Sequence, residues 1–269
     1  MDNITFGKYI PINSTIHQLD PRLKILALLI FLIAIFFDAG SIGYAIMAIF
    51  TIGTTIISNI NLKHILKAVK PMLFMMLFLM IFNIFLIKTG ELLVSLGFIK
   101  IYSDALLQSA YIFIRLVLII TMTTILTSST KPLDLTLAIE DFLNPLKKIG
   151  FPSHELAMMI SIALRFIPTL FNETNKILKA QASRGVDFNE GKFREQIKQI
   201  VSLLVPMFVI SIKRAEDLAD AMEARGYIPG AVRTKLVKMK CHLLDYVVLF
   251  VVLTLFILLI LGRCGLYAL

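Results

Sequence analysis

The sequence predicts an all-α, polytopic membrane protein, with about five membrane-spanning helices and about three long helices in a charged cytoplasmic region. Three observations lead there. Hydrophobic residues make up 58% of the 269 residues, above the roughly half found in soluble domains. Charged residues make up 17%, below the roughly quarter found in soluble domains. The apolar residues also fall in long uncharged blocks, as a bilayer requires.

Residues 1–128 form the expected membrane domain, with spans at about Leu23–Phe37, Gly43–Ile60, Pro71–Ile87 and Leu106–Ser128. Residues 242–269 carry a last span at about Leu243–Leu261. The first span is short against the ~17 to 25 residues a bilayer core needs. More apolar blocks follow it, so it reads as an uncleaved span rather than a signal peptide. Arg22 and Lys24 precede the first span, Lys63, Lys67 and Lys70 lie between the second and third, Lys131, Lys147 and Lys148 follow the fourth, and Lys235, Lys238 and Lys240 precede the fifth. The other side offers Lys88, Lys100 and Arg263. The positive-inside rule therefore places the N-terminus in the cytoplasm and the C-terminus outside. The formal charge of +9 reads as this flanking charge. Nucleic acid is not an expected partner, because no basic run is interleaved with aromatics on a soluble domain. Cys241 and Cys264 bracket the last span, about 35 Å apart at 1.5 Å per residue, too far for a disulfide.

Residues 129–241 hold 17 of the 27 Lys and Arg and 12 of the 18 Asp and Glu, yet they do not read as a loop. Pro132–Lys148 carries Leu133, Leu135, Leu137, Ile139, Phe142 and Leu146 at helical spacing. Ser153–Ser183 is a second helical stretch, opened by Pro152 and Ser153 with Glu155 in its first turn and expected to kink at Pro168. Phe193–Ala224 is a third, with a charge-free run from Gln199 to Ile212 around Pro206. A run of about 14 residues fits a buried or interfacial helix better than a span. Making it a sixth span, paired with Leu156–Phe171, would set Arg165 deep in the bilayer at high cost. The expectation is long helices at the inner membrane face, apolar in the middle and charged at the ends.

The second and third stretches end alike. Ala180-Gln181-Ala182-Ser183-Arg184-Gly185 and Ala221-Met222-Glu223-Ala224-Arg225-Gly226 share Ala, two variable residues, a small residue, Arg and Gly. Glycine enters the left-handed conformation that ends a helix. The small residue, Ser183 or Ala224, lets another surface approach. Arginine in the last turn complements the helix dipole and offers a planar fork of donors to a carboxylate. One such end is an ordinary helix terminus; two matching ends suggest two equivalent sockets on a dimer of related partners.

These residues resemble the transmembrane T components of energy-coupling-factor transporters (the EcfT/CbiQ family), a branch of the ATP-binding cassette importers. The likeness covers nearly the whole chain. It includes Leu19-Asp20-Pro21-Arg22-Leu23-Lys24, Ser129-Thr130-Lys131-Pro132, Ala163-Leu164-Arg165-Phe166-Ile167-Pro168 and, most specifically, the two Arg-Gly runs. Ser183 stands where the family motif has alanine. The resemblance implies a multi-pass subunit of the bacterial cell membrane that binds no cofactor and hydrolyses no ATP itself. It implies that Ser183, Arg184, Gly185, Ala224, Arg225 and Gly226 dock on two ATPase subunits. It further implies that a vitamin-binding membrane S component rests on the apolar middle of the coupling helices, where Leu203, Leu204, Met207 and Phe208 fall on neighbouring positions. Met158 and Met159 are expected to join that surface, since methionines repack against varied partners; ordinary membrane packing for the methionines, and a lipid-facing role for the Leu203–Phe208 face, are the alternatives.

Other signals carry less. Gly185–Phe193 has five residues between its glycines and a Phe where a phosphate loop needs Ser or Thr. His154-Glu155 begins a zinc-protease motif that Met158 breaks, and His17, His64 and His242 are scattered, so no metal site is expected. Arg115, at mid-span, reads first as a bond to a neighbouring helix and second as a functional intramembrane charge. Two rival functions remain open: a secondary transporter working alone, and a membrane adaptor or receptor.

Overall fold

The computed structural model describes residues 9–37, 40–87, 89–96, 99–186, 193–231, 239 and 241–262. The chain divides into two compact units, Met1–Ala138 with Lys238–Leu269, and Ile139–Val237.

The first unit opens with a single turn, α1 (Thr15–Gln18), and then α2 (Pro21–Ala34). Asp20 starts α2 because its side chain accepts the Arg22 backbone N–H, while Pro21 sits where its missing N–H is not needed. Such a cap is worth about 1 kcal/mol. Next come α3 (Gly40–Ser58) and α4 (Leu62–Leu86), the latter capped by Asn61. A two-stranded antiparallel hairpin, β1 (Leu92–Leu96) and β2 (Ile99–Tyr102), pairs Leu92 with Tyr102 and Leu96 with Ile99. It leads into α5 (Ser103–Ser129), and α9 (Leu243–Leu261) ends the described part of the unit.

Helix α5 is the centre of this unit, packing on α2, α3 and α4, while α9 covers α2. Phe31, Ala34 and Ile35 meet Tyr44, Met47, Leu118, Leu255 and Leu259 in the main core. Ile60, Ile65, Val69 and Ile125 form a smaller core that attaches α4. Arg115 donates its Nε–H to the Tyr44 hydroxyl on α3 at 3.0 Å, and its guanidinium lies over the Phe36 ring. The charge at mid-span is thus an interhelix partner, in line with the first of its two readings.

The second unit holds the end of α6 (Pro132–Leu143), a 3₁₀ turn (Asn144–Ile149), α7 (Ser153–Ser183) and α8 (Phe193–Ala224). The bounds of α7, α8 and α9 coincide with those read from sequence.

Among the described residues, six helices are long and apolar enough to cross a membrane: α3, α4, α5, α7, Glu195–Ala224 of α8, and α9. The protein is an all-α membrane protein in which the hairpin is a minor, unanticipated element. Other details differ from expectation. The first expected span, Leu23–Phe37, is replaced by the 14-residue α2, about 21 Å long at 1.5 Å per residue and short of a ~30 Å hydrocarbon core. Helix α4 begins nine residues before the expected Pro71, which lies inside it. Its lysines extend the helix rather than forming a loop. Pro168 and Pro206 likewise sit inside continuous helices. Pro152 occupies the cap position of α7 without a side-chain cap bond, and Ser153 is its first helical residue.

Candidate functional site

The two Arg-Gly ends are geometrically alike. Arg184 is the C-cap of α7, followed by Gly185 at φ 85° and closed by Gly185 N–H to Ala182 O (3.0 Å) and Val186 N–H to Gln181 O (3.1 Å). After α8, Gly226 at φ 69° is closed by Gly226 N–H to Glu223 O (2.8 Å) and Tyr227 N–H to Met222 O (3.0 Å). Both are Schellman closures with arginine at the same station. A Cβ on either glycine would meet open space, so the left-handed backbone, not crowding, favours glycine there.

Ser183, Arg184 and Gly185 are exposed, and so are Ala224, Arg225 and Gly226. The Ser183 hydroxyl donates to Lys179 O at 3.0 Å. The serine thus satisfies itself within its own helix and leaves the tip as small and unencumbered as alanine would. Among the described residues, no ion pair engages either guanidinium.

Helices α7 and α8 run antiparallel. Gln181 Nε2 donates to Ser202 O at 3.3 Å, Thr174 Oγ1 lies 3.1 Å from Met207 Sδ, and Arg214 pairs with Glu173 while lying over the Phe166 ring. The arginine tips therefore point in opposite directions, about 40 Å apart along the pair at 1.5 Å per residue. These locking residues escaped the sequence reading, although Glu173 and Arg214 could be noticed as charges beside otherwise apolar helix middles. The α6–α7 junction has its own lock, His154 Nδ1 to Glu140 Oε1 at 3.0 Å.

The expected S-component surface divides in two. Leu204 (51% exposed) and Phe208 (68%) face outward with Val201, Val205, Val209 and Ile212. Leu203 and Met207 are half-buried, Met207 against Thr174 of α7. Met159 is exposed and Met158 half-buried. The outward stripe recurs every three or four residues along α8, an apolar face without a partner among the described residues.

In the first unit, the sequence Asp20–Lys24 builds a polar node at the ends of α2, α5 and α9. The Asp20 backbone N–H donates to Asp245 Oδ1 at 2.8 Å, and Asp245 Oδ2 accepts the His242 N–H at 2.6 Å. Arg22 donates to Asp20 Oδ2 at 3.0 Å and to Met239 O at 3.2 Å. Lys24 Nζ donates to His17 O (3.2 Å), Ser129 O (3.4 Å) and Thr130 Oγ1 (3.4 Å). Burial raises the Asp20 pKa, but the Arg22 hydrogen bonds and charge outweigh it and hold the carboxyl below its ordinary value.

Residues 13–236 match the family of cobalt transport proteins. The energy-coupling factor transporter transmembrane protein EcfT of Bacillus subtilis (strain 168) is 46% identical over 235 residues, covering 87% of this chain and 89% of that protein. The protein of the same description from Lactococcus lactis subsp. cremoris (strain MG1363) is 44% identical over 261 residues, 97% of this chain and 98% of its own. That of Ruminiclostridium cellulolyticum is 45% identical over 246 residues, 91% and 92% respectively.

Proposed function

The chain belongs to the CbiQ/EcfT family, the transmembrane components of energy-coupling factor transporters, and from that membership we propose that it is the coupling scaffold of an ATP-driven importer. In this reading Arg184 and Arg225 each plug a carboxylate-bearing socket on one of two ATPase subunits. A vitamin-binding S component rests on the outward apolar stripe of α8 with Met159 of α7. The chain binds no ATP; closure of the ATPases moves the tips, and the helix pair passes that motion to the S component.

The observation that supports this most is the pair of matching exposed tips at opposite ends of one locked helix pair. A single plug would fix a partner; two, oppositely directed, fit the two members of a dimer. Helices α7 and α8 lie at the cytoplasmic face in this reading although both are long enough to span. Their amphipathic pattern and the exposed Arg165 suit an interface better than hydrocarbon. The N-terminus is cytoplasmic, from the lysine distribution.

Charge reversal tests the plugs. Arg184→Glu or Arg225→Glu places like charges together in the socket, a cost of several kcal/mol, and is expected to abolish uptake and weaken ATPase co-purification. Full transport by both single variants would refute the assignment.

A further inference from the structure

We propose that the polar node at Asp20–Lys24 is the fulcrum of force transmission, holding both roots of the coupling segment at one point, with Lys24, Arg22 and Asp245 as positioning residues. The proposal rests on the coupling reading above and adds a second set of residues to it.

The chain leaves α5 at Ser129–Thr130 and comes back to the start of α9 through Met239–Cys241, all of these within the first unit. Everything proposed to carry motion lies between those roots, more than a hundred residues of it. One five-residue stretch grips both. Lys24 holds the outgoing root through Ser129 O and Thr130 Oγ1. Arg22 holds the returning root through Met239 O, and Asp20 Oδ2 accepts the Cys241 thiol at 3.6 Å. Asp245, 1% exposed, then joins the start of α2 to the start of α9 by taking one N–H from each.

This is more polar structure than helix starts need. A cap takes one acceptor, whereas here two carboxylates, an ammonium and a guanidinium are gathered, with Asp20, Lys24, Ser129, Thr130 and Asp245 all buried. Buried ionic groups are a poor source of stability, because desolvation consumes most of the attraction. What they supply is geometric definition, each donor having a particular acceptor. Lys24 has three hydrogens to give and three acceptors in range. With the roots fixed relative to α2, α5 and α9, motion of the coupling segment turns about a defined point instead of fraying the last turn of α5.

The test uses the whole transporter, purified with its ATPases and S component and reconstituted in liposomes. Three quantities are read: subunits co-purified, ATP hydrolysed, and uptake of the labelled vitamin carried by the co-purified S component. Lys24→Met keeps the side-chain length and removes the donors. It is expected to leave assembly intact and hydrolysis within about twofold while uptake per ATP falls about tenfold, inside the range by which single residues alter coupling. Uptake per ATP equal to wild type, with losses only in proportion to assembled complex, would overturn the proposal. If Lys24→Met does not assemble, Arg22→Gln decides. It loses the Met239 bond but spares the Asp20–Asp245 bond, and a fall in uptake per ATP of about threefold is expected; no fall overturns the proposal. Arg184→Glu and Arg225→Glu run alongside. Uptake preserved in both would remove the coupling reading and this proposal together, whereas uptake lost in both with normal coupling in the node variants would remove this proposal alone.

Discussion

The two units treat burial in opposite ways. In the first, Phe31, Ala34, Ile35, Met47 and Leu259 are each 2% exposed or less, and a polar node ties helix ends up to 225 residues apart. In the second, the buried residues among those described are Glu140, Ser153 and Ala157, while Phe208 is 68% and Val209 59% exposed. A helix pair with so small a core of its own is held by discrete locks, Arg214–Glu173 and Gln181–Ser202 between α7 and α8, with His154–Glu140 tying α7 to α6. Its apolar stripe must be covered by lipid or by another protein. One unit is therefore built to stay as it is, and the other to be completed by its surroundings, as the proposed coupling role requires.

Removing a polar residue from each unit should expose the difference. Asp245→Ala strands two N–H groups that its carboxylate satisfied, a loss of about 3 kcal/mol. It is expected to lower the melting temperature and yield of the entire chain. Arg214→Ala strands the Glu173 carboxylate, at about 2 kcal/mol after allowance for its partial exposure. It is expected to open α7 and α8 to limited proteolysis while the first unit stays resistant. Equal global destabilisation by both variants would erase the distinction.

The outward and inward faces of α8 sharpen the same contrast. Leu204→Asp puts an unpaired carboxylate on the proposed docking face, costing on the order of a few kcal/mol. The S component should be released while both ATPases stay bound. Pull-down of both partner classes measures this, and wild-type retention of the S component in a stably inserted variant would take α8 out of the docking surface. Leu203→Asp, on the half-buried side, should instead loosen the helix pair and weaken both interactions. No loss of function at all is expected from cysteine labels at Val186 and Gly230. Both should react from the cytoplasmic side. External labelling at Val186 would mean that α7 and α8 form a spanning hairpin.

Much of the second unit was legible because its helix ends are written locally. Gly185 and Gly226 fix where α7 and α8 stop, and the tips follow from six-residue patterns. The start of α4 was harder. Lys63, Lys67 and Lys70 look like an interspan loop, but they sit on exposed helical positions, which a lysine tolerates well, and Pro71 was accommodated within the helix. The hairpin was passed over because Leu92–Tyr102 is short and lies between long apolar blocks. Its alternation of aliphatic and polar residues is weak. The polar node was recognisable as a motif but not as a structure, since Lys24 and Thr130, or Asp20 and Asp245, are paired by the fold alone. The split of Leu203 and Met207 from Leu204 and Phe208 depends on which way α8 faces α7, and a charge-free run of residues contains little that would decide it.

The central claim, that ATPase closure moves the two arginine tips, is open to a direct distance measurement. Spin labels at Lys179→Cys and Asp220→Cys, with Cys241 and Cys264 replaced by serine, lie on exposed positions about one turn before the arginines and leave both docking tips in place. In the assembled transporter the separation would be recorded without nucleotide and with a non-hydrolysable ATP analogue. The account predicts that the mean separation shifts by about 5 Å, the scale of packed helices moving past one another, and that the shift disappears in Arg184→Glu. An unchanged distribution in an assembly that binds the analogue would contradict it.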